Sequence, residues 1–224
     1  MKDLGKDNDW FEKAWGNRLT KEQERNKDTS DADKKKCHFF VTEDGPEGEV
    51  YEVNFVGEEA KLDGTISPLF GALEQLETLE IRCNDDVEEP EKQKITGPIP
   101  ISLGRLENLK TLDLQGCMLN DSIPHQLGRL KMLTRLFLND NELTGALPYD
   151  LGACANLEHL SLNNNNLDSC IPPTIGYLSK LKKLYLGYNK LKGDLPQTLD
   201  GLKGAEELSF EYNHLTGRIP DGLK

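Results

Sequence analysis

One leucine position recurs every 24 residues, without a slip, through the second half of the sequence. Its members are Leu112, Leu136, Leu160, Leu184 and Leu208. A proline position follows the same period, and its members are Pro124, Pro148, Pro172, Pro196 and Pro220. A fixed period of this length indicates that each copy is one supersecondary unit, which buries its apolar face by stacking on its neighbours. The sequence therefore predicts a solenoid, a stack of similar rungs.

Each copy contains a short strand followed by a turn. In residues 133–138, Leu136 and Leu138 alternate with Arg135 and Phe137, which predicts a strand with one face pointing inward. Equivalent strands are expected to form a parallel β-sheet on the concave face of an arc. Proline and glycine then turn the chain towards the convex face, where short helical or 3-10 turns are expected. The predicted fold class is an α/β solenoid.

Two copies near the N-terminal end are less regular. Residues 76–97 contain a copy with nine extra residues, which we place in the acidic insertion at residues 85–94. Residues 50–68 resemble a first copy with two extra residues. We therefore expect about seven repeats of 24 residues over residues 50–224, the first and last incomplete. Residues 1–49 are expected to form an N-terminal cap and a polar loop.

A polar position sits among the apolar ones in each copy. Its members are Asn84, Asn141, Asn165, Asn189 and Asn213. We expect these side chains to turn inward, because an amide can satisfy the backbone groups that are left open where the chain leaves the strand. Cys117 takes this position in one copy. The asparagines are therefore predicted to be a structural ladder rather than a ligand site.

The net charge of −12 is concentrated in one part of the chain. Residues 41–94 hold 16 acidic and 4 basic side chains, a difference of −12. We expect no nucleic-acid partner, because binding nucleic acid draws on basic surface. A protein partner with a basic surface fits the acidic N-terminal repeats; the alternative is that acidic loops keep an end strand soluble.

The five cysteines do not form a disulfide framework by their spacing, so they are expected to be unpaired. Cys117 and Cys154 fall on core positions, whereas Cys37, Cys83 and Cys170 are scattered. The first residues are charged and do not resemble a signal peptide, no apolar run is long enough to span a membrane, and one glycosylation sequon begins at Asn120. These features favour an intracellular protein; the alternative is an extracellular protein whose leader has been removed.

The repeat unit LTGxIPxxLGxLxxLxxLxLxxN resembles the plant-specific class of leucine-rich repeats over residues 50–224. That class is found in receptor-like kinases, receptor-like proteins and polygalacturonase inhibitors. The resemblance implies that residues 143–145 and their equivalents pair into a second sheet on the flank. Residues 7–17 and 38–55 are similar to the N-terminal cap of such proteins, in which Trp10, Trp15, Phe39 and Phe40 would cover the first repeat. The cap has Cys37 without a second cysteine, as in microbial and algal relatives.

No constellation of catalytic residues is apparent. The four histidines, at positions 38, 125, 159 and 214, fall at different phases of the repeat, so the fold does not gather them. The sequence has no HExxH, GxSxG, CxxC or phosphate-binding glycine motif. We therefore predict that the protein is not an enzyme and that it requires no cofactor or metal.

The concave face carries aromatic and basic side chains at outward positions of the strands and strand exits. The predicted partner-binding residues are Arg135, Phe137, His159, Lys183, Tyr185, Tyr188 and Tyr212. These residue types dominate binding hot spots. The alternative for any one of them is that a surface aromatic residue stiffens a strand through its neighbours.

The last repeat has no following rung in the sequence, which predicts an exposed apolar edge. Its members are Leu208, Phe210, Leu215 and Ile219. Such an edge either continues into further chain or packs against another subunit. The predicted function is a non-catalytic protein–protein interaction module or scaffold, a subunit of a larger assembly that binds through the concave face and this edge. The alternative is a ligand-sensing receptor ectodomain or an inhibitor of a secreted hydrolase; the partner and the oligomeric state are not indicated.

Overall fold

The computed structural model describes residues 38–42, 51–56, 63–83 and 94–223. Within these residues the concave face is one sheet of eight strands. In their order across the sheet they are β1 His38–Thr42, β2 Glu52–Val56, β4 Thr78–Arg82, β6 Thr111–Asp113, β8 Arg135–Phe137, β10 His159–Ser161, β12 Lys183–Tyr185 and β14 Glu207–Ser209. β1 pairs antiparallel with β2, and every later pair is parallel. The seven parallel strands, one per rung, confirm the predicted solenoid of seven repeats.

The register of the sheet follows the repeat period. Leu112 pairs with Leu136, Leu136 with Leu160, and Leu160 with Leu184. These four leucines are fully buried. Each rung therefore buries its leucines against the leucines of the next rung, and the core is one continuous column rather than a central cluster.

Short strands on the flank form the second sheet, in three pieces. The first piece contains β3 Asp63–Thr65, β5 Lys94–Gly97 and β7 Met118–Leu119; the second contains β9 Thr144–Gly145 and β11 Asn166–Leu167; the third contains β13 Lys192–Asp194 and β15 His214–Thr216. The second sheet is interrupted twice: between β7 and β9, where a single bridge joins Ser122 to Thr144, and between β11 and β13. In the rung of β11, Ser169 takes the position that Gly145 and Gly193 hold in the neighbouring rungs with positive φ.

The convex face is built from 3-10 helices of five residues. Six of them are Pro68–Ala72, Ile101–Arg105, His125–Arg129, Tyr149–Ala153, Pro173–Tyr177 and Gln197–Gly201, and a shorter one is Asp221–Leu223. Proline or serine precedes each of the six with extended backbone, which sets the entry into the helix. A methyl group added at Gly128 or Gly152 would collide with the backbone of the next rung. Glycine at this position therefore permits close contact between the outer sides of the rungs.

The asparagine ladder lies at the end of the concave strands. Asn165 is buried; its Oδ1 accepts a hydrogen bond from the Leu143 amide at 3.0 Å, and its Nδ2 donates to the Leu138 and Leu162 carbonyls at 2.9 and 3.1 Å. Asn141 and Asn189 make the same bonds in their rungs, and Asn213 makes them while half-buried. One side chain thus satisfies backbone groups of its own rung and of the preceding rung. Asn84 lies outside the described residues.

The expectation of unpaired cysteines is wrong for two of the five. Cys83 and Cys117 form a disulfide, with their Cα atoms 4.9 Å apart. The physical reason is the parallel register of β4 and β6, which places the residues after these strands on adjacent rungs. Because the insertion lengthens the sequence between the two cysteines, their spacing in the sequence does not indicate that they are close in the fold. Cys154 is a buried free thiol, as its core position indicates, and burial raises its pKa to about 11. Cys170 is free and exposed.

The predicted C-terminal edge is less exposed than expected. Leu208, Phe210 and Leu215 are half-buried and pack against the core, whereas Ile219 is 58 % exposed. Leu223, in the last 3-10 helix, packs against the same core. Docking of another subunit at this edge stays a prediction.

Several other predictions fall partly or wholly outside the described residues. Trp10, Trp15 and Cys37 are among them, as are residues 84–93, which hold most of the acidic insertion. Phe39 and Phe40 lie in β1, at the N-terminal edge of the concave sheet. The boundary between cap and solenoid at residues 49 and 50 stays a prediction. Among the described residues, no helix combines the length and apolar character that crossing a bilayer requires.

Candidate ligand-binding groove on the concave face

An open groove of about 490 Å³ crosses the concave face. Residues from two rows, each spaced by 24 residues, form most of its lining. The strand row contributes Phe137, Ser161, Tyr185 and Ser209, and the exit row contributes Gln115, Asn139, Asn163 and Glu211. Asn164 and Tyr188 complete the lining. Because the rows follow the register of the sheet, neighbouring groups are separated by one strand spacing, about 4.8 Å.

The exit row was missed by the sequence prediction, which singled out only aromatic and basic residues. Asn139 Nδ2 donates to Gln115 Oε1 at 3.2 Å, and Asn163 Oδ1 accepts from Ser161 Oγ at 2.7 Å. Amide side chains carry both donors and acceptors, so this row presents hydrogen-bonding groups of both kinds. The 24-residue spacing could have revealed this row in the sequence, because Gln115, Asn139, Asn163 and Glu211 occupy the same position of the repeat.

The predicted basic residues lie beside the groove rather than in its lining. Arg135 is exposed on β8, and its Nε donates to Thr111 Oγ1 at 3.2 Å. His159 is half-buried on β10, and its ring lies 6.3 Å from the ring of Phe137 in a tilted arrangement. These residues therefore share one face, next to the aromatic ring that lines the groove.

The charge of Lys183 is compensated within the face, so this part of the concave surface is not basic. Lys183 Nζ lies 2.6 Å from Glu207 Oε1, and Tyr185 OH donates to the other carboxylate oxygen of Glu207. The hydrogen bond from Lys183 lowers the pKa of Glu207, and the same carboxylate raises the pKa of Lys183 and of Tyr185. Lys183 and Glu207 occupy one phase in successive repeats, so the period places them on neighbouring strands.

Tyr188 and Tyr212 occupy a backbone position that ordinarily favours small residues. In the five rungs from β6 to β14, the residue that follows the concave strand at one phase has positive φ, and in order along the chain it is Gly116, Asp140, Asn164, Tyr188 and Tyr212. Glycine, aspartate and asparagine tolerate this left-handed region, whereas a bulky aromatic residue is strained there. The two tyrosine rings stack with centroids 4.4 Å apart, and they are 50 % and 71 % exposed. The backbone is therefore strained at both tyrosines, which form an exposed aromatic pair at the C-terminal end of the groove.

Glu211 is the carboxylate that lines the groove. Ser209 Oγ lies 2.7 Å from its Oε2, and this hydrogen bond lowers the pKa of Glu211. The carboxylate lies over Gly187, where an added methyl group would be 2.8 Å from its Oε1. No ion pair joins Glu211 to a basic side chain in the described part of the chain. The groove therefore contains a negative charge that no ion pair among the described residues compensates.

The N-terminal side of the concave face carries an ion pair between the buried Asp113 and the half-exposed Arg82. Asp113 is fully buried on β6; its Oδ2 accepts from Arg82 Nε at 2.6 Å, and its Oδ1 accepts from the Gln115 amide at 3.2 Å. Burial raises the pKa of Asp113, although Arg82 acts in the opposite direction. The pair fixes the end of the strand from which Gln115 enters the groove.

The groove has the chemistry of a binding surface. Its lining combines amide, hydroxyl and aromatic groups on a rigid sheet, the composition expected of a site for a polar ligand. Within the described residues, no group of three or more His, Cys, Asp or Glu side chains is arranged to hold a metal ion.

A family profile described as "Leucine rich repeat" matches residues 155–215, and a second one, described as "Leucine Rich Repeat", matches residues 108–130 and 132–154. No curated protein matches the sequence significantly. Among solved structures, the plant peptide hormone receptor RGFR1 in complex with RGF2 is similar, with 33 % identity over 72 % of this chain and 24 % of that chain and a TM-score of 0.67.

The Arabidopsis receptor kinase HAESA, in complex with the peptide hormone IDA and the co-receptor SERK1, is similar with 29 % identity and a TM-score of 0.66. That match covers 72 % of this chain and 26 % of the receptor, so this chain spans about a quarter of the length of these two proteins. Pollen Receptor Kinase 3 shares the fold, with 24 % identity over 86 % of both chains and a TM-score of 0.62. The chain is therefore a leucine-rich repeat protein, a protein-interaction module whose solenoid resembles the ectodomains of plant receptor kinases.

Proposed function

We propose that the concave groove captures an extended segment of a polypeptide ligand, and that the chain acts as a non-catalytic, receptor-like binding module. The observation that carries this proposal is the exit row of amides beside Phe137 and Tyr185, on a sheet whose register repeats rung by rung. Amides can pair with the peptide groups of an extended chain, and aromatic side chains supply contact area at low entropic cost. The similar structures of RGFR1 and HAESA contain bound peptides, which supports a ligand of this class.

We propose further that the protein works in an oxidising, extracellular compartment. The intracellular prediction depended partly on unpaired cysteines, and the Cys83–Cys117 disulfide removes that support. Disulfides persist mainly in secreted and extracellular proteins. The similarity to receptor ectodomains supports the same compartment. Docking of a basic protein surface on the acidic residues 41–94 stays a prediction, because many of those residues lie outside the described part of the chain.

The experiment compares two double variants of matched chemistry. Phe137→Ala with Tyr185→Ala removes two aromatic rings from the groove, whereas Tyr149→Ala with Tyr177→Ala removes two exposed rings from the convex face. Each protein is immobilised and used to select from a display library of random peptides.

We expect the unmodified protein and the convex variant to enrich the same peptides, and the groove variant to lose the enrichment while its melting temperature stays close to that of the convex variant. Loss of selection by both variants, or failure of the unmodified protein to select any peptide, would contradict the proposal.

A further inference from the structure

We propose that the groove selects ligands by a lysine or arginine side chain, which pairs with Glu211 beside the exposed ring of Tyr188. This inference depends on the proposed function, since it names the chemistry that the same groove prefers. It adds a ligand preference to the sequence prediction, which named aromatic and basic residues on this face but no charge for a ligand bound there.

The balance of charge within the groove supports a cationic ligand group. Of the lining residues, Glu211 is the carboxylate, and no lysine, arginine or histidine lines the groove. Lys183, which lies beside the groove on β12, is already paired with Glu207. An anionic ligand group would therefore be repelled by the carboxylate of Glu211, whereas a cationic group could form an ion pair with it.

The carboxylate is held in position before any ligand arrives. Ser209 Oγ fixes one oxygen of Glu211 at 2.7 Å, and the other oxygen lies above Gly187, which has no side chain to shield it. Glu211 is exposed in the chain itself. A preorganised carboxylate loses little conformational entropy on binding, so more of the ion-pair energy remains for affinity.

The adjacent tyrosines supply the second half of a cation site. Tyr188 lines the groove and stacks on Tyr212. Desolvation and the neighbouring Tyr212 raise the pKa of Tyr188, and the negative charge of Glu211 acts in the same direction. A lysine or arginine side chain is attracted to an aromatic face as well as to a carboxylate. The strained backbone at both tyrosines is consistent with a functional position, because strain of this kind concentrates at ligand sites.

The remaining lining favours a peptide over a neutral sugar chain. The amides of Gln115, Asn139 and Asn163 suit either ligand, but a neutral sugar offers nothing to the charge of Glu211. A polypeptide supplies both the backbone groups for the amides and the cation for the carboxylate.

The test uses the random-peptide selection described above on three proteins: the unmodified chain, Glu211→Gln and Glu206→Gln. Glu206 is an exposed carboxylate outside the groove lining, so its variant has the same net charge as Glu211→Gln. We expect peptides selected by the unmodified chain and by Glu206→Gln to be enriched in lysine or arginine at one position, and this preference to vanish with Glu211→Gln.

A selected peptide is then synthesised with its basic residue and with norleucine at that position. We expect the replacement to weaken binding to the unmodified chain by about tenfold or more, and to have little effect on Glu211→Gln. Selected peptides without a basic preference, or an equal loss on both proteins, would overturn this inference and leave the proposed function intact. Binding of neutral oligosaccharides instead of peptides would overturn both.

Discussion

Cys83 and Cys117 are joined by a disulfide between adjacent rungs, and Cys117 stands where the other rungs have a ladder asparagine. In those rungs the asparagine connects successive repeats by hydrogen bonds. Here a covalent bond makes the connection, at the rung that follows the insertion. The disulfide thus joins the two ends of the segment that contains the insertion.

Replacing this pair, as Cys83→Ser with Cys117→Ser, should lower the free energy of unfolding by about 2–4 kcal/mol, because the disulfide restricts the unfolded chain. Equilibrium denaturation in guanidinium measures the change. Cys170→Ser is the control, since Cys170 is free and exposed, and it should leave stability unchanged. Equal stability of the double variant and the control would mean that the link contributes nothing.

Asn165→Leu should destabilise the fold by about 1–3 kcal/mol, because the Leu143 amide and the Leu138 and Leu162 carbonyls lose their buried partner. Urea denaturation measures the change. Asn166→Leu is the control, because Asn166 is half-buried on the flank and does not occupy the ladder position. If both variants unfold at the same urea concentration, the hydrogen bonds of the ladder asparagine do not add to the stability of the fold.

Gly152→Ala should lower stability by about 1–3 kcal/mol, because the added methyl group meets the backbone of Thr174 in the next rung. Gly204→Ala is a matched control, since the closest atom to its added methyl group is 3.9 Å away. Thermal unfolding followed by circular dichroism compares the two. A lower melting temperature for Gly204→Ala than for Gly152→Ala would contradict this account of the convex face.

The stability of the protein should depend on pH through Asp113. Burial raises its pKa above 3.8, so the folded protein holds this proton more tightly than the unfolded chain does. The stability that protonated Asp113 contributes is fully present below the pKa of Asp113 in the unfolded chain. It is lost as the pH rises through the pKa of Asp113 in the folded protein. Asp113→Asn removes that loss, so the difference in unfolding free energy, variant minus unmodified protein, should increase with pH and then level off. Urea denaturation of both proteins from about pH 3 to pH 7 measures this difference; a difference that shrinks as pH rises would contradict it.

Tyr188→Asn should change stability by less than about 1 kcal/mol, because relief of the left-handed strain offsets the lost stacking on Tyr212. Asn164 and Asp140 already occupy the same position in earlier rungs. The same variant should lose affinity for peptides selected by the groove, as measured by isothermal titration calorimetry. A large loss of stability with unchanged affinity would assign the tyrosine pair to structure instead of binding.

The period of the sequence predicts most of the fold, since Leu136, Leu160 and Leu184 fall in register exactly as their spacing requires. It predicts less of the site, because a period places residues in rows but does not say which neighbours within a row will pair. Lys183 and Glu207 illustrate the difference: both positions are predictable, whereas the compensation of their charges depends on side-chain conformation. The disulfide was hidden for another reason, since the insertion separates Cys83 and Cys117 in sequence while the sheet brings them together.

The glycines of the convex face have a geometric consequence for the whole molecule. The curvature of a stack of rungs depends on the difference between the rung-to-rung distance on its concave side and that on its convex side. On the convex side, the backbones of neighbouring rungs are in close contact at Gly104, Gly128, Gly152 and Gly176, so the distance there is near its minimum. Larger residues there would wedge the outside apart and tighten the bend. The radius of curvature, and with it the breadth of the surface offered to a ligand, is therefore tuned by single hydrogen atoms far from that surface.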